Sequence, residues 1–116
     1  MQKDSLSRYS RPKLANSYIA PTNELEKQIS EMWQEILGIE QVGIYDNFFE
    51  LGGDSLIATR LFSRLQITFP VELSIQKVLF KALTVAKQAE MINEMMLETI
   101  SQLSDEEVEI LLAEDR

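Results

Sequence analysis

One serine of this chain, Ser55, stands in a position where its hydroxyl could do chemistry. It follows Gly52, Gly53 and Asp54 and precedes Leu56, at the predicted start of a helix. The free N–H groups and the dipole of a helix make its N-terminus partly positive, which favours a phosphodiester there. The two glycines have no side chains, so a bulky partner could approach the hydroxyl closely. The charge of Asp54 opposes this effect, and a simpler alternative is that Ser55 or Asp54 only caps the helix.

Other kinds of catalytic chemistry find little support in the composition. The 116 residues include no cysteine and no histidine. This excludes disulfides, thiolate zinc sites, a cysteine nucleophile and any triad that uses histidine. The acids between Asp46 and Asp54 lack the alternating ligands and central glycine of a calcium loop, so no metal site is expected. No convergent catalytic set is visible, and we do not expect an enzyme.

The charge distribution limits the partners. The formal charge is −8, with an excess of basic residues before residue 22 and of acidic residues after residue 92. An acidic body argues against nucleic acid, which requires a positive surface, and favours partners with basic faces. No apolar run reaches the length of a membrane span, and no signal-peptide stretch opens the chain. We therefore expect a cytoplasmic protein without a membrane partner.

Caps, stop signals and apolar spacing predict four helices after a leader. Residues 1–20 show no sustained period and are interpreted as a flexible leader or linker remnant. Asn23, with Glu26 as its reciprocal partner, is expected to cap a first helix that ends at Gly38. The second helix is predicted from residue 54 or 55 to 68, a short third from 74 to 80, and a fourth after Thr84 as N-cap.

Apolar side chains at helical spacing define the predicted core. In the order of the four helices they are Leu25, Ile29, Met32, Trp33, Ile36 and Leu37; Leu56, Ile57, Leu61, Phe62 and Leu65; Ile75, Val78 and Leu79; and Val85, Ala89, Ile92 and Met96. The long loop over residues 39–54 is rich in apolar side chains and should be pinned to this core. The predicted fold is an all-α antiparallel four-helix bundle, with three main helices and one short helix, over residues 21–96.

Residues 97–116 form a predicted acidic C-terminal tail. Ser104 and Glu107 make a capping box, and Val108, Leu111 and Leu112 lie on one face of the helix that would follow. One interpretation is a solvated acidic end, because short isolated helices are unstable in water. The other is a docking helix that folds on a partner.

The stretch from Leu51 to Leu56 resembles the attachment motif of peptidyl carrier (thiolation) domains of non-ribosomal peptide synthetases, within the phosphopantetheine-binding acyl-carrier superfamily. The resemblance covers roughly residues 20–92. It also includes Ala20-Pro21, the segment from Trp33 to Gly38, the segment from Asp46 to Phe49, Leu61, Arg64-Leu65, Phe80 and Thr84. Leu83 departs from the family, in which proline is frequent at this position, and this makes the corner less rigid.

The resemblance implies a covalent carrier. A phosphopantetheinyl transferase would move the 4'-phosphopantetheine of coenzyme A onto Ser55, and the thiol of the arm would hold acyl or aminoacyl groups as thioesters. It also implies an adenylation domain, on another polypeptide or removed from this one, and condensation or tailoring enzymes. The tail resembles acidic C-terminal segments by which some synthetase subunits find the next subunit.

In this family the second helix faces partners, which makes Leu56, Ile57 and Arg60 the candidate interface. Leu56 and Ile57 could equally belong to the core. Two alternatives to the peptidyl carrier remain open. One is an acyl carrier of a polyketide or fatty-acid system. The other is a non-covalent helical interaction module in which Ser55 only caps its helix.

Overall fold

The computed structural model describes residues 9–101, and within them the chain forms four helices. These are α1 (Glu24–Leu37), α2 (Ser55–Thr68), α3 (Ile75–Phe80) and α4 (Val85–Ser101). Helix α1 packs against α2 and α4, while α3 packs against α2. Over this span, the extended backbone pairs only in an isolated parallel bridge. The predicted all-α bundle is confirmed. None of the described helices combines the length and the apolar character needed to cross a membrane.

The ends of α1 follow from local sequence. The side chain of Asn23 accepts a hydrogen bond from the Glu26 N–H at 2.8 Å, and Gly38 closes the helix in the left-handed conformation, with φ of 70°. The predicted capping box is only half correct, because the Glu26 carboxylate does not return to Asn23. It accepts instead from the backbone N–H and the hydroxyl of Thr22, at 2.8 and 2.7 Å.

Side chains also cap the starts of α3 and α4, as expected for Thr84, while no cap was assigned to the third helix from sequence. Ser74 accepts from the Lys77 N–H at the start of α3, and the Thr84 hydroxyl accepts from the Lys87 N–H at the start of α4. Phe69 is extended where α2 ends, as expected for a residue before proline. The four helices are therefore bounded where the sequence predicted, except that α4 continues past residue 96 to Ser101.

Trp33 lies at the centre of the core, as predicted, and is fully buried. Its indole N–H donates to the side-chain oxygen of Gln88 at 2.9 Å, and the Gln88 amide donates to the Ala82 carbonyl at 3.0 Å. The ring meets Phe48 edge to face, with centroids 5.1 Å apart. One buried residue thus joins α1, α4 and the loop before α2, and the buried polar groups it brings have partners.

Two predicted core residues, Leu56 and Ile75, are exposed, at 65% and 39% of their surface. The buried face of α2 is formed by Ala58, Leu61 and Leu65. At 3.6 residues per turn, Leu56 points about 140° away from Leu61, so it cannot share that face. Of the remaining predicted core residues, Leu25, Ile36, Leu37, Ile57, Phe62, Leu79 and Met96 are half-buried against the core.

The loop between α1 and α2 is pinned to the core, as predicted. Val42, Ile44, Phe48 and Leu51 are buried in it. Two hydrogen bonds of 2.9 Å attach its backbone to the region of α4. The Ala86 N–H of α4 donates to the Ile44 carbonyl, and the Phe48 N–H donates to the carbonyl of Leu83, just before α4. Without regular secondary structure, the loop depends on such contacts for its conformation.

The structure corrects the prediction of a flexible leader for residues 9–20, which contact the loop between α1 and α2. Arg11, for example, forms a 2.7 Å ion pair with the buried carboxylate of Asp46. The sequence showed no helical or strand period here because the segment is held by irregular contacts rather than by a repeating pattern. The predicted tail features, Ser104, Val108, Leu111 and Leu112, lie outside the described residues.

Candidate functional site

Ser55 is the first residue of α2, and its side chain is exposed. The capping role belongs to Asp54, whose carboxylate accepts from the Ile57 N–H at 2.9 Å and whose carbonyl accepts from the Ala58 N–H at 2.8 Å. The Ser55 carbonyl accepts from the Thr59 hydroxyl. Its own hydroxyl makes no hydrogen bond to any residue between 9 and 101. Ser55 is therefore not the cap, and its oxygen is available to a reagent from solution.

The backbone at the start of α2 is suited to an anion. The N–H groups of Ser55 and Leu56 make no hydrogen bond within the described span, as expected for the first turn of a helix. They add to the partial positive charge of the helix N-terminus, next to the serine oxygen. The residues present therefore fit a phosphate joined to Ser55, with the exposed Asp54 carboxylate as an opposing charge.

The two glycines before Ser55 are required by the loop itself. Gly52 has φ of 104°, a conformation that residues with a Cβ rarely adopt. A Cβ on Gly53 would lie 2.8 Å from Cζ of Phe48 and closer still to two other atoms of that ring. The ring of Phe48 is buried beneath Gly53, which was not anticipated from sequence. From the sequence, we expected these glycines to let a partner approach the Ser55 hydroxyl. In the structure, they also allow the loop to close.

The buried position of Asp46 in the loop before Ser55 was not predicted from the sequence. Its carboxylate is completely buried eight residues before Asp54 and accepts hydrogen bonds from Arg11, Asn16 and the Gly43 N–H, at 2.7 to 2.8 Å. Burial raises the pKa of Asp46, but these hydrogen bonds and the Arg11 charge outweigh it and leave the pKa below its ordinary value. The sequence feature that could have indicated this burial is an acidic residue placed among apolar residues of the loop.

The three residues predicted to face partners differ in their exposure. Leu56 and Arg60 are exposed beside Ser55, and Phe49 adds an apolar side chain that is 42% exposed. Ile57 is half-buried against the core, so it contributes less surface than predicted. Leu56 is the one large apolar side chain of the first turn of α2 that faces solvent.

The site is a surface hydroxyl rather than a pocket. The crevice that Phe49 and Ala58 share with α3 has a volume of about 10 Å³, too small to take in an acyl chain. Among residues 9–101, no group of three or more acidic side chains is arranged to hold a metal ion.

The described chain is a small helical bundle with an exposed serine at the start of α2. The family model for the phosphopantetheine attachment site matches residues 27–92. The chain belongs to this family, as a peptidyl carrier (thiolation) domain of non-ribosomal peptide synthesis. Its cofactor is 4'-phosphopantetheine, and the domain acts as a substrate shuttle rather than a catalyst.

Three similar proteins illustrate the match. Gramicidin S synthase 2 of Brevibacillus brevis is 49% identical over 79 residues, which are 68% of this chain and 2% of that protein. A non-covalent extended docking domain complex of the Pax synthetase, PaxA T1-CDD/PaxB NDD, is 38% identical, with a TM-score of 0.68 over 87% of this chain and 94% of that one.

The third is the peptidyl carrier protein bound to the transferase Sfp and coenzyme A. It is 38% identical, with a TM-score of 0.62 over 66% of this chain and 99% of that chain. The chain thus spans nearly all of the compared carrier structures, but only about 2% of the length of the gramicidin S synthase.

Proposed function

We propose that Ser55 is the residue to which 4'-phosphopantetheine is attached, and that the domain carries aminoacyl or peptidyl groups on this arm. One observation carries the proposal: the Ser55 hydroxyl is exposed and unbonded within the described chain, while Asp54 caps the helix. When attached, the arm supplies a thiol that holds an acyl group as a thioester, a function for which the chain has no cysteine of its own.

The attachment step uses the serine oxygen as the nucleophile. A bond would form between Ser55 Oγ and the phosphorus of coenzyme A that bears the pantetheine, and the bond from that phosphorus to the departing adenosine 3',5'-bisphosphate would break. The hydroxyl proton passes to a base of the transferase, since no base within residues 9–101 is bonded to the hydroxyl. The unbonded N–H groups of Ser55 and Leu56 would stabilise the negative charge of the phosphodiester.

We also propose that partner enzymes recognise the surface next to the arm, formed by Leu56 and Arg60. Leu56 is an exposed apolar side chain adjacent to Ser55, and Arg60 offers a positive charge one to two turns further on. A transferase complex with coenzyme A and a similar carrier is consistent with such a surface. Adenylation and condensation or tailoring partners would then compete for one small face.

Intact-mass measurement tests the attachment site. The full chain is incubated with coenzyme A and a broad-specificity transferase, and we expect one phosphopantetheine per chain. Ser55→Ala should accept none and remain folded, with a stability change within about 0.5 kcal/mol, because Ser55 does not cap its helix. Ser63→Ala is the matched control, since Ser63 is an exposed serine on the same helix. Modification of the Ser55→Ala protein, or loss of modification in the control, would refute the assignment.

We also propose that residues 104–116 dock the carrier to a basic groove on another synthetase subunit. The sequence supports this with a capping box, an apolar stripe of Val108, Leu111 and Leu112, and six acids around the stripe. A similar structure is that of a docking domain complex, and its likeness extends over 87% of this chain. The apolar stripe would supply affinity, and the acids steering and register.

Deletion of residues 104–116 tests the docking proposal. We expect the shortened chain to be modified at Ser55 at the normal rate but to transfer its acyl group slowly to the downstream subunit. Transfer by the intact chain should weaken as salt rises, because exposed charges are screened over about 10 Å at 0.1 M. Equal transfer rates for the two chains, at low salt and low protein concentration, would show that the tail does not dock.

A further inference from the structure

Residues 9–20, called the strap from here on, are attached at both ends to the irregular backbone that follows α1. At one end, the Tyr9 N–H donates to the Gly38 carbonyl at 2.7 Å. At the other end, the Ile44 N–H donates to the Ile19 carbonyl at 2.9 Å. The strap precedes the region that the family model matches, which begins at residue 27.

Between these ends, Arg11 of the strap binds Asp46 with two parallel hydrogen bonds. Its Nε and Nη2 donate to the two carboxylate oxygens, each at 2.7 Å. Asn16, also of the strap, donates to the same carboxylate, and the Gly43 N–H supplies a further bond from the loop. Asp46 is 0% exposed and the Arg11 side chain 15%. A buried carboxylate depends on such partners, so this pair differs in kind from an exposed ion pair.

From Asp46, a short series of contacts leads to Ser55. Asp46 closes the turn at Gly43, and two residues later the Phe48 N–H donates to the Leu83 carbonyl. The ring of Phe48 packs beneath Gly53, whose N–H returns to the Phe48 carbonyl at 3.0 Å. Gly53 directly precedes the cap of α2. A shift of the loop at Asp46 would therefore be passed through Phe48 and Gly53 to the backbone that presents Ser55.

We propose that Arg11 is a positioning residue for the Ser55 site. By pairing with Asp46, it holds the loop in the conformation that partner enzymes recognise, so the strap is a working part of the carrier, which then includes residues N-terminal to residue 21. This proposal rests on the assignment of Ser55 as the attachment residue. A chain that began at residue 21 would retain the buried Asp46 carboxylate without the cation that neutralises it.

The proposal predicts a kinetic change of a particular kind. Without Arg11, the loop would spend only a fraction of its time in the recognised conformation. The apparent affinity of the transferase for the carrier is then the intrinsic affinity multiplied by that fraction, while the bound complex reacts as before. For Arg11→Gln in the full chain, we expect the transferase KM for the carrier to rise about three- to tenfold, with kcat within about twofold of normal. Arg11→Lys should recover part of the loss, since it keeps the charge but not the two parallel bonds.

Hydrogen exchange of backbone amides provides a readout independent of activity. In Arg11→Gln, amides of residues 43–53 should exchange faster, while those of α1 and α4 keep their protection. Arg64→Gln is the matched control. Arg64 also pairs with a carboxylate, Glu35, at 2.8 Å, but both side chains are about half exposed, and among residues 9–101 neither side chain hydrogen-bonds to the strap or the loop. It should leave KM and loop exchange unchanged.

Three results would overturn the proposal. One is a normal KM with normal loop exchange in Arg11→Gln. Another is an equal loss of protection in the loop, α1 and α4 in both Arg11→Gln and Arg11→Lys, which would make the pair a contributor to global stability only. The third is failure of the unaltered chain to be modified at Ser55. That result would refute the site assignment itself, and it is distinguishable because it does not involve an Arg11 variant.

Discussion

Replacement of Gly53 by alanine tests whether the loop before Ser55 is closed by a glycine packed on a buried ring. In Gly53→Ala, the new Cβ would lie 2.8 Å or less from three atoms of Phe48. The ring cannot withdraw easily, because Phe48 is 2% exposed and meets Trp33 edge to face. Either the ring or the backbone before α2 must therefore shift.

The expected loss of stability follows from this overlap. Overpacking a well-packed site by one methyl group costs about 1–3 kcal/mol. Alanine also restricts the unfolded chain, which offsets about 0.4–1 kcal/mol of that loss. A net loss of about 1–2 kcal/mol corresponds to a fall in Tm of about 4–16 °C for a domain of this size. Attachment at Ser55 should slow as well, since Gly53 lies two residues before it.

Thermal unfolding followed by circular dichroism measures this effect, and a double-mutant cycle assigns its cause. If the clash with Phe48 is responsible, Gly53→Ala combined with Phe48→Leu should cost less than the two single changes together, by about 0.5–3 kcal/mol. Gly52→Ala is the control. Its Cβ meets nothing within 4 Å, but its φ of 104° is strained for alanine, so it should destabilise without coupling to Phe48. An unchanged Tm for Gly53→Ala, or strict additivity with Phe48→Leu, would refute the reasoning.

Three further predictions concern the core, the buried acid and the partner surface. Trp33→Ala should destabilise the domain by about 3–5 kcal/mol, since the ring is fully buried, and Trp33→Phe by about 1–3 kcal/mol, since the Gln88 oxygen loses its donor; both are measured by chemical unfolding. The pKa of Asp46 is lowered in the folded state. Its contribution to stability is therefore complete above about pH 4 and is lost as pH falls through the lowered pKa. Tm measured from pH 7 to 2 should decline more steeply in the unaltered chain than in Asp46→Asn, and parallel curves would contradict this. Arg60→Glu should weaken loading or a downstream step without changing Tm, because the side chain is exposed, and unchanged rates with every cognate partner would remove Arg60 from the interface.

The sequence was most informative where structure is governed by near neighbours. Asn23, Gly38 and Thr84 mark helix ends through contacts within one turn, so their roles could be predicted without the fold. Trp33 could be placed in the core because its stripe on α1 is regular. The assignment of Ser55 was made from the residues around it, since a family motif concentrates the relevant information in six consecutive positions.

The buried stripe of α2 was harder to predict, because apolar residues lie around much of that helix. Leu56, Ile57 and Phe62 are all compatible with a core face by type, and periodicity alone does not select among them. Packing against α1 and α3 selects the face of Leu61 and turns Leu56 to solvent. The exposure that suits Leu56 to a partner surface is therefore a result of tertiary packing.

The helices and the family could thus be predicted from the amino-acid sequence, and the same local motif is the basis for proposing Ser55, because capping, hydrophobic period and motif are properties of short segments. The support of the loop before Ser55 became visible only in the folded chain. Arg11 and Asp46 are 35 residues apart, and the ring of Phe48 excludes a side chain at Gly53 through space. No local pattern encodes either relation, since each arises only when the strap, the loop and the helices pack together.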